Sequence, residues 1–237
     1  MSLAKIPATF FVSLTFQKCI TPPHPPPPKS ERIQTNSKDV EWYTQTVLPM
    51  AAKIQWVIAF SEIATILAYN YPSSNMSKTI LSYLVTTEGD PSKLGLSGPI
   101  VLGGTMMIIG ALIRITTYRY LGRFFRYEAS IQKNHQLIVT GPYAIVRHPS
   151  YTGFLISHPG WFLWQLSPGS WVRESGLWGN WLGKVLVLTY AHVVIASTVY
   201  TVLRRMKAED EALRDAFGEK WVGWAKEVPY CVVPGVY

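Results

Sequence analysis

The chain has 237 residues, 48% of them hydrophobic and only 15% charged, with nine Trp among them. A soluble domain carries roughly 25% charged residues, so this deficit, with a positive mean hydropathy, points to the membrane. The net charge of +8 does not indicate nucleic acid: the cations cluster beside apolar segments at "RITTYRYLGRFFR" (114–126) and "LRRMK" (203–207), as on the cytosolic flanks of membrane spans.

Residues 6–16, "IPATFFVSLTF", are apolar but too few to cross a bilayer, which takes about 20 residues of helix. They read as an interfacial or loosely held segment. A signal-peptide core is the alternative, although no convincing small-residue cleavage site follows. "TPPHPPPPK" (21–29) is a polyproline II stretch, serving as a semi-rigid linker or as a ligand for a proline-binding partner. Residues 1–46 thus form an N-terminal segment with a proline-rich linker, ahead of a membrane domain over 47–237.

The first expected span, Val47 to Ala68, carries Lys53 and Glu62, both costly in hydrocarbon. Lys53 can snorkel to an interface. Glu62 faces a helix partner or water, a direct functional role being the alternative. The second span, Gly98 to Tyr118, has Gly103, Gly104 and Gly110, which suit close helix packing. The third, Thr152 to Pro168, is short and holds His158, Pro159, Gly160 and Gln165, so a kinked, tilted or paired helix is expected. The fourth, Leu182 to Leu203, contains His192, read as a neutral packing residue in preference to a proton carrier.

The fold expected is therefore all-α, a polytopic membrane protein with about four transmembrane helices. The segment 114–133 holds Arg114, Arg119, Arg123, Arg126 and Lys133 against Glu128 alone, whereas 70–97 is charge-balanced. Both termini, the 119–151 loop and the tail after 204 are then expected on the cytosolic side.

Chemistry is concentrated in two places. "TGPYAIVRHPSYTG" (140–153) precedes the third span, and a helix from Arg204 to about Phe217, stopped by Gly218, continues from the fourth. Arg205 and Glu209 lie one turn apart on that helix. They form either a surface ion pair contributing about 0.3–0.5 kcal/mol or part of an interfacial site beside "RHPSY". Other templates fail. There is no Gly-x-Ser-x-Gly elbow, no Walker loop and no Rossmann fingerprint, and Cys19 and Cys231 offer neither zinc spacing nor a disulfide framework.

Taken together, Arg147, His148, Pro149 and Tyr151, a hydrophobic region, then Glu209 and Asp210 resemble the isoprenylcysteine carboxyl methyltransferase family. The resemblance runs mainly over 118–237 and includes the ending "FGEKWVGWAKEVP". It implies S-adenosylmethionine as cofactor, held by His135, Gln136, Leu137, Ile138, Tyr143, His148, Pro149, Ser150, Tyr151 and Glu209. It implies Arg205 as the catalytic, substrate-binding residue, with a cytosolic C-terminal helix completing the cofactor site. Prenylated CaaX-processed proteins would be the substrates, met at an endoplasmic reticulum membrane crossed several times, with the site facing the cytosol and no nucleic acid or metal involved. The pattern departs from the family at Asp210, which replaces a second Glu, at Trp221 and Trp224, which replace Tyr, and at Glu128, where some members have a cofactor-contacting Gln.

The residue types suit the implied reaction. A carboxylate acceptor is already ionised and needs no general base, so the protein's task is to position and partly desolvate two charged groups. Arginine suits a planar carboxylate through two parallel hydrogen bonds. Two rival readings remain: a methyltransferase acting on a lipid amine headgroup, and a non-catalytic membrane scaffold that keeps the fold.

Overall fold

In the computed structural model, residues 3–25, 28, 31, 42–126 and 130–236 are described. Their α-helices are α1 (Lys5–Ile20), α2 (Leu48–Asn70), α3 (Asn75–Leu84), α4 (Gly98–Leu121), α5 (Pro149–Leu166), α6 (Trp171–Glu174), α7 (Trp181–Phe217) and α8 (Glu219–Glu227). Part of the polyproline stretch and Glu128 lie outside the described residues. The fold is all-α and of the polytopic membrane type. Among the described residues three helical segments are long and apolar enough to cross a membrane: Tyr43–Asn70, Gly98–Phe124 and Trp181–Phe217. The expected third span forms α5 but is not one of these three, its apolar run being broken by Ser157, His158, Pro159 and Gln165.

The chain divides into two units. The first comprises Met1–Gln17, Met50–Ile109 and Ile156–Ile195, and a buried polar seam runs through it. Lys5 Nζ donates to Glu62 Oε1 at 2.6 Å and to the Gly169 carbonyl, while Thr9 Oγ1 donates to Glu62 Oε2 at 2.7 Å. The Trp171 amide donates to Glu62 Oε1 at 3.0 Å. Further along, Gln55 Oε1 accepts from Trp161 Nε1 (2.6 Å) and Gln165 Nε2 (2.7 Å), and Gln55 Nε2 donates to Ser13 Oγ (2.8 Å). Polar groups away from water are costly unless paired, and here each finds a partner.

That seam changes the reading of residues 6–16. They are not loosely held: they belong to α1, whose Lys5, Thr9 and Ser13 are buried, because the cation at Lys5 is matched by Glu62. Glu62 meets helix partners as expected, and Lys53 is exposed. His192 differs from expectation. It is exposed on α7 beside buried Ala191, so it is not a packing residue. The glycines do pack: a Cβ on Gly103 would lie 2.6 Å from the Gly160 carbonyl oxygen, and one on Gly104 would lie 2.8 Å from the Trp164 ring. Only hydrogen fits there.

The second unit comprises Lys18–Pro49, Gly110–Leu155 and Ala196–Tyr237. A Cβ on Gly153 would come within 2.6 Å of the Gly110 carbonyl oxygen, so α4 and α5 touch backbone to backbone here too. Gly141 adopts φ 62°, a left-handed conformation suited to glycine, and opens a 3-10 turn over Gly141–Ala144. Pro149 starts α5, where its missing N–H is no loss. The C-terminal tail returns to this point. Arg147 N donates to Tyr230 O (2.9 Å), His148 N to Cys231 O (2.8 Å) and Thr152 Oγ1 to Val232 O (2.6 Å).

Candidate functional site

Within the second unit a cavity encloses about 920 Å³ of atom-free space, part of it open to solvent. Its wall includes every residue singled out from the sequence: His135 to Ile138, Tyr143, His148 to Tyr151, Arg205 and Glu209. The turn at Gly141 carries Tyr143 onto this wall, the start of α5 carries Pro149, Ser150 and Tyr151, and one face of α7 carries Arg205 and Glu209.

Glu209 is the hub. Its Oε1 accepts from Tyr151 Oη at 2.7 Å and from Arg205 Nη2 at 3.0 Å, and its Oε2 lies 3.5 Å from His148 Nδ1. Arg205 is 6% exposed, and its guanidinium sits 5.8 Å from the centre of the Tyr151 ring. Arg205 is therefore buried and Glu209 half-buried among site residues, not solvated together on a helix surface.

Asp210 supports the hub from behind. It accepts from both Nε and Nη2 of Arg147 at 3.3 Å and lies 3.0 Å from His148 Nε2. Burial opposes the charged form of His148, but the hydrogen bonds to Asp210 and Glu209 outweigh it and raise its pKa to about 9. The imidazolium therefore bridges the two acids at neutral pH. Burial, reinforced by the charge of Glu209, keeps the Tyr143 phenol protonated. Burial, with Arg123 nearby, lowers the pKa of His135, whose ring stacks on Phe124 at 4.6 Å.

Arg147 is committed to structure as well as charge: Nη1 donates to the Val228 and Pro229 carbonyls, and Nη2 to Cys231 Sγ. Sequence reasoning missed Arg114 as a wall residue. It is 1% exposed, donates from Nε to Cys19 O (2.6 Å) and from Nη1 to Ser150 Oγ (2.8 Å), and lies 3.6 Å above the Phe154 ring. Its signal was legible: an arginine inside an apolar span is a functional candidate in its own right. Trp224 also lines the wall, its Nε1 donating to the Tyr143 carbonyl. Among the described residues no group of His, Cys, Asp or Glu has the arrangement of a metal site.

The wall fits S-adenosylmethionine by chemistry. Leu137 and Ile138 offer apolar surface for a purine, and Glu209 offers acceptor oxygens for hydroxyl or ammonium groups. Ser130, on the same wall, keeps a buried hydroxyl that meets no partner among the described residues and that a ligand can satisfy.

The described residues thus make a helical membrane protein with an apolar cavity at the start of α5, into which charged side chains project. Residues 99–220 match the phospholipid methyltransferase family, and the chain belongs to that family. It is 30% identical over 129 residues to protein-S-isoprenylcysteine O-methyltransferase B of Arabidopsis thaliana, covering 54% of this chain and 55% of that one. It is 31% identical over 130 residues to the protein-S-isoprenylcysteine O-methyltransferase of Rattus norvegicus, covering 54% and 38%. It is also 32% identical over 102 residues to a Delta(14)-sterol reductase of Mus musculus, covering 43% and 20%. The matched region spans about half or less of the length of these curated relatives.

Proposed function

We propose that the protein methylates the C-terminal carboxylate of a prenylated cysteine, using S-adenosylmethionine, at the cytosolic face of the endoplasmic reticulum membrane. The observation that carries this reading is the convergence of Arg205, Glu209, Tyr151 and His148 within hydrogen-bonding reach on one cavity wall. When bound, S-adenosylmethionine supplies an electrophilic methyl group on its sulfonium sulfur. The protein's own residues do the rest by position. Arg205 has five N–H donors, so it can hold Glu209 and an acceptor carboxylate together. Glu209, oriented by Tyr151 and His148, accepts hydrogen bonds from the hydroxyl or ammonium groups of the donor. The acceptor is already ionised, so its attack needs no proton removed. A cation at Arg205 repels an amine, which favours a carboxylate acceptor over a lipid amine.

The test is to incubate membranes containing the chain with methyl-labelled S-adenosylmethionine and either a farnesylated cysteine or phosphatidylethanolamine. Base-labile label on the farnesylcysteine is the expected result. Base-stable label on the aminophospholipid would replace this reading with headgroup methylation. Failure of S-adenosylhomocysteine to bind, together with NADPH-dependent sterol reduction, would replace it with the chemistry of the reductase relative.

A further inference from the structure

We propose that Arg126 and Ser130 form the subsite for the carboxylate at the amino-acid end of the methyl donor, an assignment that rests on the function proposed above. Both residues line the cavity, among Phe124, Phe125 and Ile131. Ser130 is 8% exposed, and its Oγ is buried without a hydrogen-bond partner among the described residues. The same holds for Arg126 Nε, while its Nη1 reaches the Phe125 carbonyl only at 3.4 Å. Buried donors left unmatched are uncommon and costly. Two of them on one cavity wall mark where a ligand acceptor sits.

The charge on that acceptor follows from the other wall residues. Arg147 is engaged by Asp210 and two carbonyls, Arg114 by Cys19 and Ser150, and Arg205 by Glu209. The donor's amino-acid end carries an ammonium and a carboxylate. Glu209 suits the ammonium and repels the carboxylate. A guanidinium and a hydroxyl on one cavity wall suit the carboxylate, by charge-assisted hydrogen bonds. The acceptor's own carboxylate is assigned to Arg205, so the two anions are received by different arginines.

The test is calorimetric titration of the full chain in detergent with S-adenosylhomocysteine and with its decarboxylated analogue, which differ only in the group at issue. The wild type should prefer the carboxylate-bearing ligand. Arg126→Gln should weaken that ligand by about ten- to a hundredfold, the loss of a charge-assisted contact, and leave the decarboxylated analogue within about threefold. Arg126→Lys should recover part of the loss, and Ser130→Ala should show the same selectivity at smaller size. Equal weakening of both ligands, or no weakening of either, overturns the subsite. A wild type that binds both ligands equally overturns the subsite alone, whereas one that binds neither overturns the proposed function with it.

Discussion

Replacing Arg205 by alanine separates holding the acceptor from holding the donor. The side chain is 6% exposed and donates from Nη2 to Glu209 Oε1 at 3.0 Å. Without it, Glu209 keeps Tyr151 Oη at 2.7 Å and His148 Nδ1 at 3.5 Å, so the donor's side of the cavity remains assembled. Affinity for S-adenosylhomocysteine should fall by less than about tenfold. An acceptor carboxylate, by contrast, would leave water with no cation to meet it. Losing a charge-assisted hydrogen bond costs about 1.5–3 kcal/mol, which is roughly ten- to a hundredfold in rate. Arg205→Lys should restore only part of that, since an ammonium cannot reproduce the two-pronged contact. The assay is turnover of a farnesylated cysteine beside calorimetry of S-adenosylhomocysteine, at matched expression and membrane insertion. Near-normal turnover in Arg205→Ala would refute the anchoring role. Abolished S-adenosylhomocysteine binding would instead make Arg205 a support for Glu209.

Three further outcomes follow from the geometry. The pKa of His148 is raised to about 9 from an ordinary 6.5, so the stability from its charged form is complete below about 6.5 and lost as pH rises through about 9; thermal melts should show the melting temperature dropping across that window, and His148→Gln should start lower and lack the step. Gly160→Ala would set a Cβ 2.7 Å from the Gly103 carbonyl oxygen and should cost about 1–3 kcal/mol as overpacking; Gly223→Ala, with nothing within 4 Å of its Cβ, should gain about 0.5–1 kcal/mol, and a denaturation series distinguishes the two. Lys5→Met strips Glu62 of its cation, with side-chain exposures of 0% and 4%, and should cost about 3–5 kcal/mol; adding Glu62→Gln should return part of it, and thermal stability that is unchanged in the single variant would show that the pair contributes nothing.

The site was legible in the sequence to the extent that its residues lie close together in the chain. "RHPSY" is five consecutive residues, and Arg205 and Glu209 are one helical turn apart, so local geometry alone brings each group to a shared face. The seam through α1 was not legible. Lys5 is buried because of Glu62, a partner 57 residues away, and no local pattern announces such a pairing. Asp210 looked like a variant of a paired acid, but it turns away from the cavity to hold Arg147 and His148. His192 was judged by the apolar run around it, although what decides its role is the face of α7 it occupies. Arg114 was counted only as one of a cluster of orienting charges, which concealed that it is buried within the apolar part of its helix.

The return of the tail to residues 147–152 has a consequence for what a shared motif can reveal. The family match stops at residue 220, yet Val228 to Val232 supply five carbonyl oxygens to this neighbourhood. A carbonyl is the same in every amino acid. Beyond the Cys231 Sγ contact and the buried Val228 and Val232 side chains, what this segment gives is backbone, and those bonds do not depend on which residue carries them. Alignment by residue identity does not register those backbone bonds. The working boundary of the machine therefore lies beyond its recognisable one, and a fragment cut to the matched region would lose the hands that hold its most conspicuous signature in place.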